Sequence, residues 1–420
     1  ARDPEAIRDD ARSVHAPSMR YQPPEKDIDE AGELLDQAER PMVVAGGGVH
    51  AAGAAQQLTA FCDRVQPLVA TSLSGKGSVP ETRAYAGGVL NPLGSASAID
   101  LAKEADLIVW CGSKASQNTA MNWTLPTGNQ ATITIDSDPG EHGRTFCPSV
   151  ALCGDVRLTL ERLGGVCKAT PRTTWLDRIR EARAEEQRRI QAEMESADTP
   201  VKPPRVMAEL DRRIGDQDIV ISDASFAAGW IANYLPARTA GRGFVYARGQ
   251  GGLGYGVPAC LGVGVLQRKT GGRTVLVAGD GGIAYAIGEM ASLAQQGVKA
   301  VVVVLNNGTL GWLQMWQELF FSNLRQSVDL GAGDKPDYAE AGDAMGLKGF
   351  RVDKPDDLDA SFEQAFAHDG PSVVEVRIDP EATPIHSFRR RLSEKHRQFD
   401  RPGTVYQLRQ WPISPKAPGG

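Results

Sequence analysis

Short apolar runs alternate with amphipathic stretches along most of this chain. After a polar, proline-containing opening, a helical pattern at 27–40 leads into the apolar run 41–48. Alternation of this kind predicts parallel βαβ units with right-handed crossovers, and therefore a doubly wound sheet. The strand-like runs that follow are 67–73, 107–112, 131–136 and 150–155, and the helix-like stretches between them include 51–64 and 95–105.

A charged stretch separates this series from a second one. Residues 173–196 carry charges on both flanks of a thin apolar stripe, which predicts a solvated connector helix with a threonine cap at its start. A partner-binding helix is the alternative. The apolar runs of the second series are bounded by turn residues, as strands are. These runs are 218–224, 274–281, 300–307 and 372–379.

We therefore predict an α/β fold in which two doubly wound parallel-sheet domains are joined by a helical linker. The residues from Pro384 onward contain eight Lys and Arg against two acidic residues. They form either a mobile or packing tail or a flap over an anionic ligand. The predicted segments are a linker at 1–27, a central α/β domain at 28–165, a helical linker at 166–204, a second α/β domain at 205–380 and a basic tail at 381–420.

The composition narrows the classes of function. The formal net charge of −6 gives no overall nucleic-acid signature. The six cysteines are scattered without a CxxC pair, which indicates reduced thiols in a cytosolic protein. The first residues lack the apolar core of a signal peptide, and no apolar run reaches the ~18–20 residues of a membrane span. We expect a soluble, cytoplasmic protein with no nucleic-acid or membrane partner.

Two strand-like runs of the second series end in polar residues. Asp280 stands between glycines after one run, and Asn306-Asn307 end the next, with 24 residues between the two motifs. A predicted helix at 285–296 crosses over between them. Because a right-handed crossover brings both strand ends to the same edge of a sheet, we expect Asp280 and Asn307 to lie within a few ångströms of one another.

This combination of residue types favours magnesium. A carboxylate and a carboxamide offer hard oxygen ligands, whereas zinc prefers Cys and His. Gly279, Gly281 and Gly282 would let backbone N–H groups approach a phosphate next to the start of the following helix. Alone, a Gly-Asp-Gly turn is often a tight bend and an Asn pair is often a turn. Together, at this spacing, they predict a site for a magnesium-bridged diphosphate.

The same spacing resembles that of a known family. A Gly-Asp-Gly motif, 24 intervening residues and an Asn pair match the diphosphate-and-magnesium motif of thiamine diphosphate enzymes. The resemblance implies that Asp280, the Asn307 side chain and the backbone carbonyl of Thr309 bind Mg²⁺. It also implies that Leu253, within GGLGYGVPA, is the bulky apolar residue that wedges the cofactor into its V shape. Without the resemblance, Leu253 would be read as an ordinary core leucine.

The stretch after the asparagines is similar to the catalytic subunit of acetolactate synthase and its relatives. LNNGTLGWLQMWQELFF and AMGLKGFRVDKPDDLDA both resemble that group, and Trp316 matches its substrate-pocket tryptophan. Trp312 and Trp316 would then wall the substrate pocket; lid or core packing is the alternative for both. The implied reaction is decarboxylation of a 2-oxo acid such as pyruvate, followed by transfer of the remaining unit to a carbonyl acceptor.

Two departures from that group concern its ligands. Phe226 and Ala227 stand where the acetolactate synthases carry a Gln-His pair that reaches the diphosphate, and Ser225 could still supply a hydroxyl or an N–H group there. The Arg-Phe-Asp-Asp run that binds FAD in those enzymes is replaced by SKASQNTAMNW at 113–123. The glycines at 46–53 lack the full dinucleotide fingerprint. We therefore expect neither FAD nor NAD.

A third departure is that nothing in the sequence matches the family's pyrimidine-binding domain. That domain carries a glutamate that contacts the aminopyrimidine ring, and acid–base help of this kind contributes about 10²–10⁴ in rate. We therefore expect no catalytic residue in this chain, with the glutamate supplied in trans. The domain could be a separate polypeptide of about 150–200 residues, which would make this chain the large subunit of a split enzyme; a fragment of a longer chain is the alternative.

We favour the split enzyme, as a hetero-oligomer built on a dimer of this chain. Two other functions compete with a carboligase. One is a thiamine diphosphate-dependent lyase that cleaves 2-hydroxy ketones or acyl thioesters, which the loss of the Gln-His pair keeps open. The other is a non-catalytic subunit that regulates a full-length homologue.

Overall fold

Two parallel six-stranded sheets organise the computed structural model of this chain. Every strand pair within both sheets is parallel, and helices connect most of the successive strands. The predicted α/β fold with two doubly wound domains is therefore confirmed. The basic tail lies outside the described residues from position 386 onward. The structure describes residues 17, 19–321, 326–331 and 336–385.

The first domain is built from six strands and five helices. They are β1 (Pro41–Ala45), β2 (Leu68–Thr71), β3 (Ala86–Val89), β4 (Leu107–Cys111), β5 (Ala131–Asp136), β6 (Val150–Cys153), α1 (Glu25–Gln37), α2 (Gly47–Ala51), α3 (Ala55–Val65), α4 (Ala96–Glu104) and α5 (Val156–Val166). The strand order β3-β2-β1-β4-β5-β6 is typical of doubly wound dinucleotide folds. Along β1, Val43 packs into the core on one face and Val44 into the core on the other. Burial on both faces explains the continuous apolar runs of this sheet.

The glycine-rich turn after β1 is filled by the protein's own backbone. Gly46 N–H donates to the Cys111 carbonyl at 2.9 Å, and Gly48 N–H donates to the Gly112 carbonyl at 3.0 Å. A side chain at Gly46 would place its Cβ 2.1 Å from the Gly112 oxygen. Dinucleotide folds direct N–H groups of this turn at the ligand's pyrophosphate. In this chain the N–H groups of Gly46 and Gly48 are instead used inside the protein.

The linker contains the helices α6 (Thr173–Met194) and α7 (Pro203–Arg213). The connector helix is confirmed, but the predicted threonine cap is wrong. Arg172 occupies the N-cap position, no side chain caps the helix, and Thr173 is its first residue. Arg172 instead donates from its guanidinium to the carbonyls of Leu35 and Val65, which ties the start of α6 to the first domain.

The second domain has the strand order β11-β12-β10-β9-β7-β8. Its strands are β7 (Ile219–Ser222), β8 (Phe244–Tyr246), β9 (Thr274–Gly279), β10 (Ala300–Asn306), β11 (Lys348–Val352) and β12 (Ser372–Arg377). Its helices are α8 (Phe226–Tyr234), α9 (Gly256–Gln267), α10 (Asp280–Tyr285), α11 (Glu289–Gln296), α12 (Gly311–Phe320), α13 (Tyr338–Ala344) and α14 (Leu358–Ala367). The single crossover helix predicted at 285–296 is wrong: two short helices make the crossover, and the first begins at Asp280 itself.

A buried seam joins the two domains. Lys76 is completely buried there, and its Nζ lies 2.6 Å from Glu81 Oε1 and 5.1 Å from the centre of the Phe244 ring. Asn233 donates from Nδ2 to the Leu93 carbonyl at 2.7 Å across the same seam. The apolar core of the second domain also continues into residues after β2 and β3. No helix in the described part of the chain is long and apolar enough to span a membrane.

Candidate cofactor and metal site

A cavity of about 360 Å³ lies at the carboxyl ends of the second sheet, facing the first domain. Asn91, Leu93 and Asn118, which follow β3 and β4, contribute its first-domain wall. Nine of the ten site residues predicted from the sequence line this cavity. They are Ser225, Leu253, Gly279, Asp280, Gly281, Gly282, Asn307, Thr309 and Trp312.

The Asp280 carboxylate connects the ends of two strands. Only 2% of the residue is exposed. Its Oδ1 accepts from Gly281 N–H at 3.0 Å, and its Oδ2 accepts from Gly308 N–H at 2.7 Å. Gly308 directly follows Asn307, so the structure brings the two predicted metal ligands to one edge of the sheet. Tyr338 donates its hydroxyl to the Asp280 carbonyl at 3.1 Å and thereby fixes the backbone at this point.

The two asparagines have different surroundings. Asn306, the last residue of β10, is completely buried and donates from Nδ2 to Glu375 Oε1 at 2.7 Å and to the Pro336 carbonyl at 3.1 Å. Asn307 lines the cavity, and its Oδ1 accepts from Thr309 N–H at 3.1 Å. Asn306 therefore anchors the strand end, and Asn307 offers a carboxamide to the cavity.

Thr309 is held by the segment that returns after α12. Its backbone forms an isolated antiparallel bridge with Asp329, and its hydroxyl donates to Gln314 Oε1 at 2.9 Å. Its carbonyl accepts from Gly311 N–H at 2.9 Å. A carbonyl oxygen has two lone pairs, so one is still open to a cation.

The donor set at this edge fits magnesium. A carboxylate oxygen, a carboxamide oxygen and a backbone carbonyl are hard ligands, and Mg²⁺ takes its remaining ligands from phosphate and water. The described residues contain no group of three or more His, Cys, Asp or Glu side chains placed to hold a metal ion. Such a group is not required by a site of the predicted kind, in which only one protein ligand is charged.

The three glycines around Asp280 differ in their steric demands. A Cβ at Gly281 would lie 2.7 Å from Leu310 Cδ2, and a Cβ at Gly282 would lie 3.0 Å from Asp223 Cγ. A side chain at either position would press against a neighbouring side chain. A Cβ at Gly279 would meet no atom within 4 Å. Gly279 therefore borders open space within the cavity, as a residue that approaches a bound phosphate would.

Asp223 is a site-forming residue that we did not predict from the sequence. It follows β7, is 1% exposed, and accepts hydrogen bonds from three backbone N–H groups. Gly254 and Gly256 supply two of them, at 3.3 and 2.8 Å, and so hold the loop that carries Leu253. Burial raises the pKa of the Asp223 carboxyl, against the opposing effect of these N–H donors. An acidic residue at the end of an apolar strand was the available signal, as at Asp280.

Ser225 adopts a conformation that usually requires glycine. Its φ and ψ are 75° and −145°, and it directly precedes α8. Non-glycine residues in this region are strained, and such strain concentrates at functional sites. Phe226 and Ala227, in place of the Gln-His pair, also line the cavity and make this wall apolar.

An aromatic group closes one side of the cavity. The Phe226 and Trp312 rings meet edge to face, with their centres 5.6 Å apart, and both residues line the cavity. Trp316 lies against Trp312, with ring centres 6.4 Å apart, but it does not line the cavity and is 36% exposed. Of the two tryptophans predicted to wall a pocket, the structure places only Trp312 on this cavity.

Oxygen ligands and glycine turns at the carboxyl edge of a doubly wound sheet are the features expected of a protein that binds a metal-bridged diphosphate. Comparison with known families agrees with this class. The family "Thiamine pyrophosphate enzyme, C-terminal TPP binding domain" matches residues 223–376, and "Thiamine pyrophosphate enzyme, central domain" matches 28–163. The chain belongs to the thiamine diphosphate (thiamine pyrophosphate) enzymes and comprises their central and C-terminal domains.

Individual relatives are named as acetolactate synthase large subunits. A probable one from Methanocaldococcus jannaschii is 28% identical over 368 residues, 85% of this chain and 61% of the relative. The Lactococcus lactis large subunit is 28% identical over 374 residues, 87% and 63% of the two chains. The large subunit of Escherichia coli isozyme 2 is 26% identical over 356 residues, which are 85% of this chain and 63% of the relative. This chain therefore spans about three fifths of the length of these relatives.

Proposed function

We propose that this chain is the large subunit of a thiamine diphosphate-dependent 2-oxo-acid decarboxylase and carboligase similar to acetolactate synthase. The observation that carries the proposal is the convergence of Asp280, Asn307 and the Gly281-Gly282 turn on one cavity at the sheet edge. In this proposal Asp280, Asn307 and the Thr309 carbonyl hold Mg²⁺. The glycine turn accommodates the diphosphate, and Leu253 shapes the cofactor.

The cofactor would supply the electron sink that a 2-oxo acid needs to lose CO₂ and that the remaining unit needs to attack a carbonyl acceptor. The chain's own residues position and shield this chemistry. Phe226 and Trp312 present apolar surface to the cavity and exclude water from it. The buried carboxylate of Asp223 accepts hydrogen bonds from Gly254 and Gly256 N–H and so fixes the loop that carries Leu253.

The catalytic glutamate belongs to a pyrimidine-binding domain that we place on another polypeptide. Exposed apolar side chains on and next to α9 support the docking of a further domain. Tyr255, Val265 and Leu266 are 43%, 42% and 54% exposed along α9, and Tyr285, which packs against Gly254, is 73% exposed. Exposed apolar patches of this kind mark interaction surfaces.

Cofactor binding by the isolated chain tests the proposed metal site. Tryptophan fluorescence can report it, because Trp230 and Trp312 line the cavity. We expect wild-type protein to bind thiamine diphosphate only with Mg²⁺, and Asp280→Ala to weaken that binding about 100-fold or more, because it removes the charged ligand. The matched control is Asp356→Ala, an exposed carboxylate away from the cavity. Equal affinities for wild type and Asp280→Ala would show that the site is wrongly assigned.

The native complex tests the split arrangement. The complex isolated from its own source should contain a second chain of about 150–200 residues with a glutamate after a strand, and adding that chain should restore pyruvate turnover. A longer form of the same polypeptide that carries the pyrimidine domain would disprove the separate subunit. Tight cofactor binding with no turnover in any reconstituted mixture would favour the regulatory function.

A lyase is the second candidate, and Phe226 favours it. An apolar side chain stands where the synthases contact the diphosphate, and it packs on Trp312 in the cavity wall. Assays of pyruvate loss against cleavage of a 2-hydroxy ketone distinguish the two reactions. A cytoplasmic location is part of the proposal and is supported by the six cysteines, which are all free.

A further inference from the structure

Arg248 lines the cavity, and its side chain has no partner among the residues that the structure describes. It follows β8, is half-buried, and lines the same cavity as Asp280 and Trp312. Its backbone N–H donates to the Tyr246 carbonyl at 2.8 Å. Its guanidinium makes no hydrogen bond or ion pair with any residue in the described parts of the chain, and burial lowers its pKa with no carboxylate nearby to oppose the effect.

Another arginine of this chain, the buried Arg172, has the hydrogen-bond acceptors that Arg248 lacks in the described part of the chain. Arg172 is also removed from water, and burial likewise lowers its pKa. Its guanidinium, however, donates to the carbonyls of Leu35, Ala38 and Val65. A guanidinium stays protonated in proteins and is costly to bury unless its donors are satisfied. Arg248 therefore has the charge and the free donors to receive an anion from the cavity.

The sheet topology separates Arg248 from the proposed metal ligands. β8 is the edge strand, two positions from β9 and three from β10 in the strand order. At about 4.8 Å per strand, its end lies roughly 10 Å from the strand that leads to Asp280 and 14 Å from the strand that leads to Asn307. Arg248 thus reaches the cavity from the loop after the edge strand, away from the expected metal ligands, and the same loop carries Leu253.

The chemistry of the proposed reaction selects between two substrate carboxylates. The donor 2-oxo acid loses its carboxylate as CO₂, and a guanidinium bound to that group would stabilise the ground state and slow its departure. A second 2-oxo acid that serves as acceptor keeps its carboxylate in the product. A guanidinium that binds this retained carboxylate therefore raises the affinity of the enzyme for the acceptor without slowing the decarboxylation of the donor.

Resting on the proposed function, we infer that Arg248 binds the retained carboxylate of the acceptor substrate. It is a specificity-determining residue that selects an anionic acceptor, a second 2-oxo acid, over a neutral aldehyde or ketone. Arginine suits this role because its planar fork binds a carboxylate through two parallel hydrogen bonds.

Ligand binding by the full chain loaded with thiamine diphosphate and Mg²⁺ tests Arg248 without turnover. The probes are pyruvate and methyl pyruvate, which is close in size but uncharged, and tryptophan fluorescence reports both. Arg248→Gln should weaken pyruvate binding roughly 10- to 100-fold and leave methyl pyruvate unchanged. The pyruvate affinity of Arg248→Lys should fall between those of the wild type and Arg248→Gln, since lysine keeps the charge but lacks the planar fork of donors. Arg242→Gln, an exposed arginine outside the cavity, is the matched control.

Kinetics of the assembled enzyme provide the second measurement. Arg248→Gln should raise the KM for a 2-oxo-acid acceptor and leave the single-turnover rate of CO₂ release from the donor, measured without acceptor, unchanged. Equal losses for pyruvate and methyl pyruvate, or no pyruvate binding by wild type, would overturn the inference. Loss of cofactor affinity in Arg248→Gln with intact pyruvate discrimination would instead assign the arginine to the diphosphate. Failure of wild type to bind thiamine diphosphate would reject the proposed function itself.

Discussion

At the scale of single residues, Ser225 holds a strained conformation beside the cavity. Ser225 has a positive φ of 75° and precedes the helix that carries Phe226. An L-residue adopts this conformation only when its surroundings enforce it, at a cost of about 1–3 kcal/mol. The fold accepts this cost at a position that borders the candidate cofactor site.

Ser225→Gly should therefore stabilise the protein. We expect the free energy of unfolding to rise by about 1 kcal/mol, because relief of strain exceeds the added entropy of the unfolded chain. Ser225→Ala keeps the strain and should leave stability unchanged or lower. Urea unfolding of the cofactor-free protein measures both variants. If Ser225→Gly were no more stable than Ser225→Ala, the backbone at Ser225 would not be strained.

Individual site residues were predictable only where a motif marked them. The sequence placed Asp280 and Asn307 at one edge of a sheet because chain direction and crossover handedness determine where parallel strands end. The family resemblance singled out Asn307 as a metal ligand, but the sequence did not show the role of Asn306, which depends on its bond to the buried Glu375. The positive φ of Ser225 leaves no trace in composition, since it arises from the packing around the turn.

At the scale of elements, the central strands were predicted well and the edge strands poorly. β1, β4, β9 and β10 are buried on both faces and read as unbroken apolar runs. The prediction missed β3, β8 and β11. Each lies at an edge of its sheet and is short or carries glycine or charge, as AGGV, FVY and KGFRV show. Edge strands pair on one side only and are commonly kept short or charged.

One buried carboxylate on β12 links several elements behind the candidate site. Glu375 is completely buried and accepts from Asn306 Nδ2 at 2.7 Å, from Tyr338 N–H at 2.6 Å and from Ala339 N–H at 3.2 Å. Arg377 Nε lies 2.8 Å from the same carboxylate. These bonds join the end of β10 to the start of α13, whose tyrosine in turn holds the backbone of the Asp280 turn.

Glu375→Ala should destabilise the second domain by about 3–5 kcal/mol, because it removes the acceptor of several buried donors and the anionic partner of Arg377. Glu375→Gln keeps the shape and one acceptor oxygen and should cost about 1–3 kcal/mol. Urea unfolding followed by circular dichroism gives both values. A loss below 1 kcal/mol for the alanine variant would mean that water or a neighbouring group replaces the carboxylate.

At the scale of the whole molecule, the two domains share a buried ion pair. Lys76 and Glu81 belong to the first domain, yet Lys76 packs on Phe244 and also donates to the Ala232 carbonyl of the second. Glu81 accepts from Ala237 N–H at 3.3 Å. Neither charge has an alternative partner of opposite sign in the described part of the molecule, so each depends on the other.

Removing either partner should be costly. Lys76→Met or Glu81→Leu alone should destabilise the protein by about 3–5 kcal/mol, since the remaining charge stays buried and unpaired. The double variant should recover a large part of that loss, because no isolated charge is left. Unfolding free energies in a double-mutant cycle measure the coupling. Strictly additive losses would show that water reaches the seam and solvates the remaining charge.

The two-domain lining of the cavity has a thermodynamic consequence. Asn91 and Asn118 face it from the first domain, and the expected metal ligands face it from the second. A molecule bound between them contacts both bodies and acts as a reversible cross-link. Its binding free energy is then also a domain-association free energy, in proportion to RT ln(1 + [L]/Kd). Saturation with such a ligand should therefore merge the melting of the two domains into one transition.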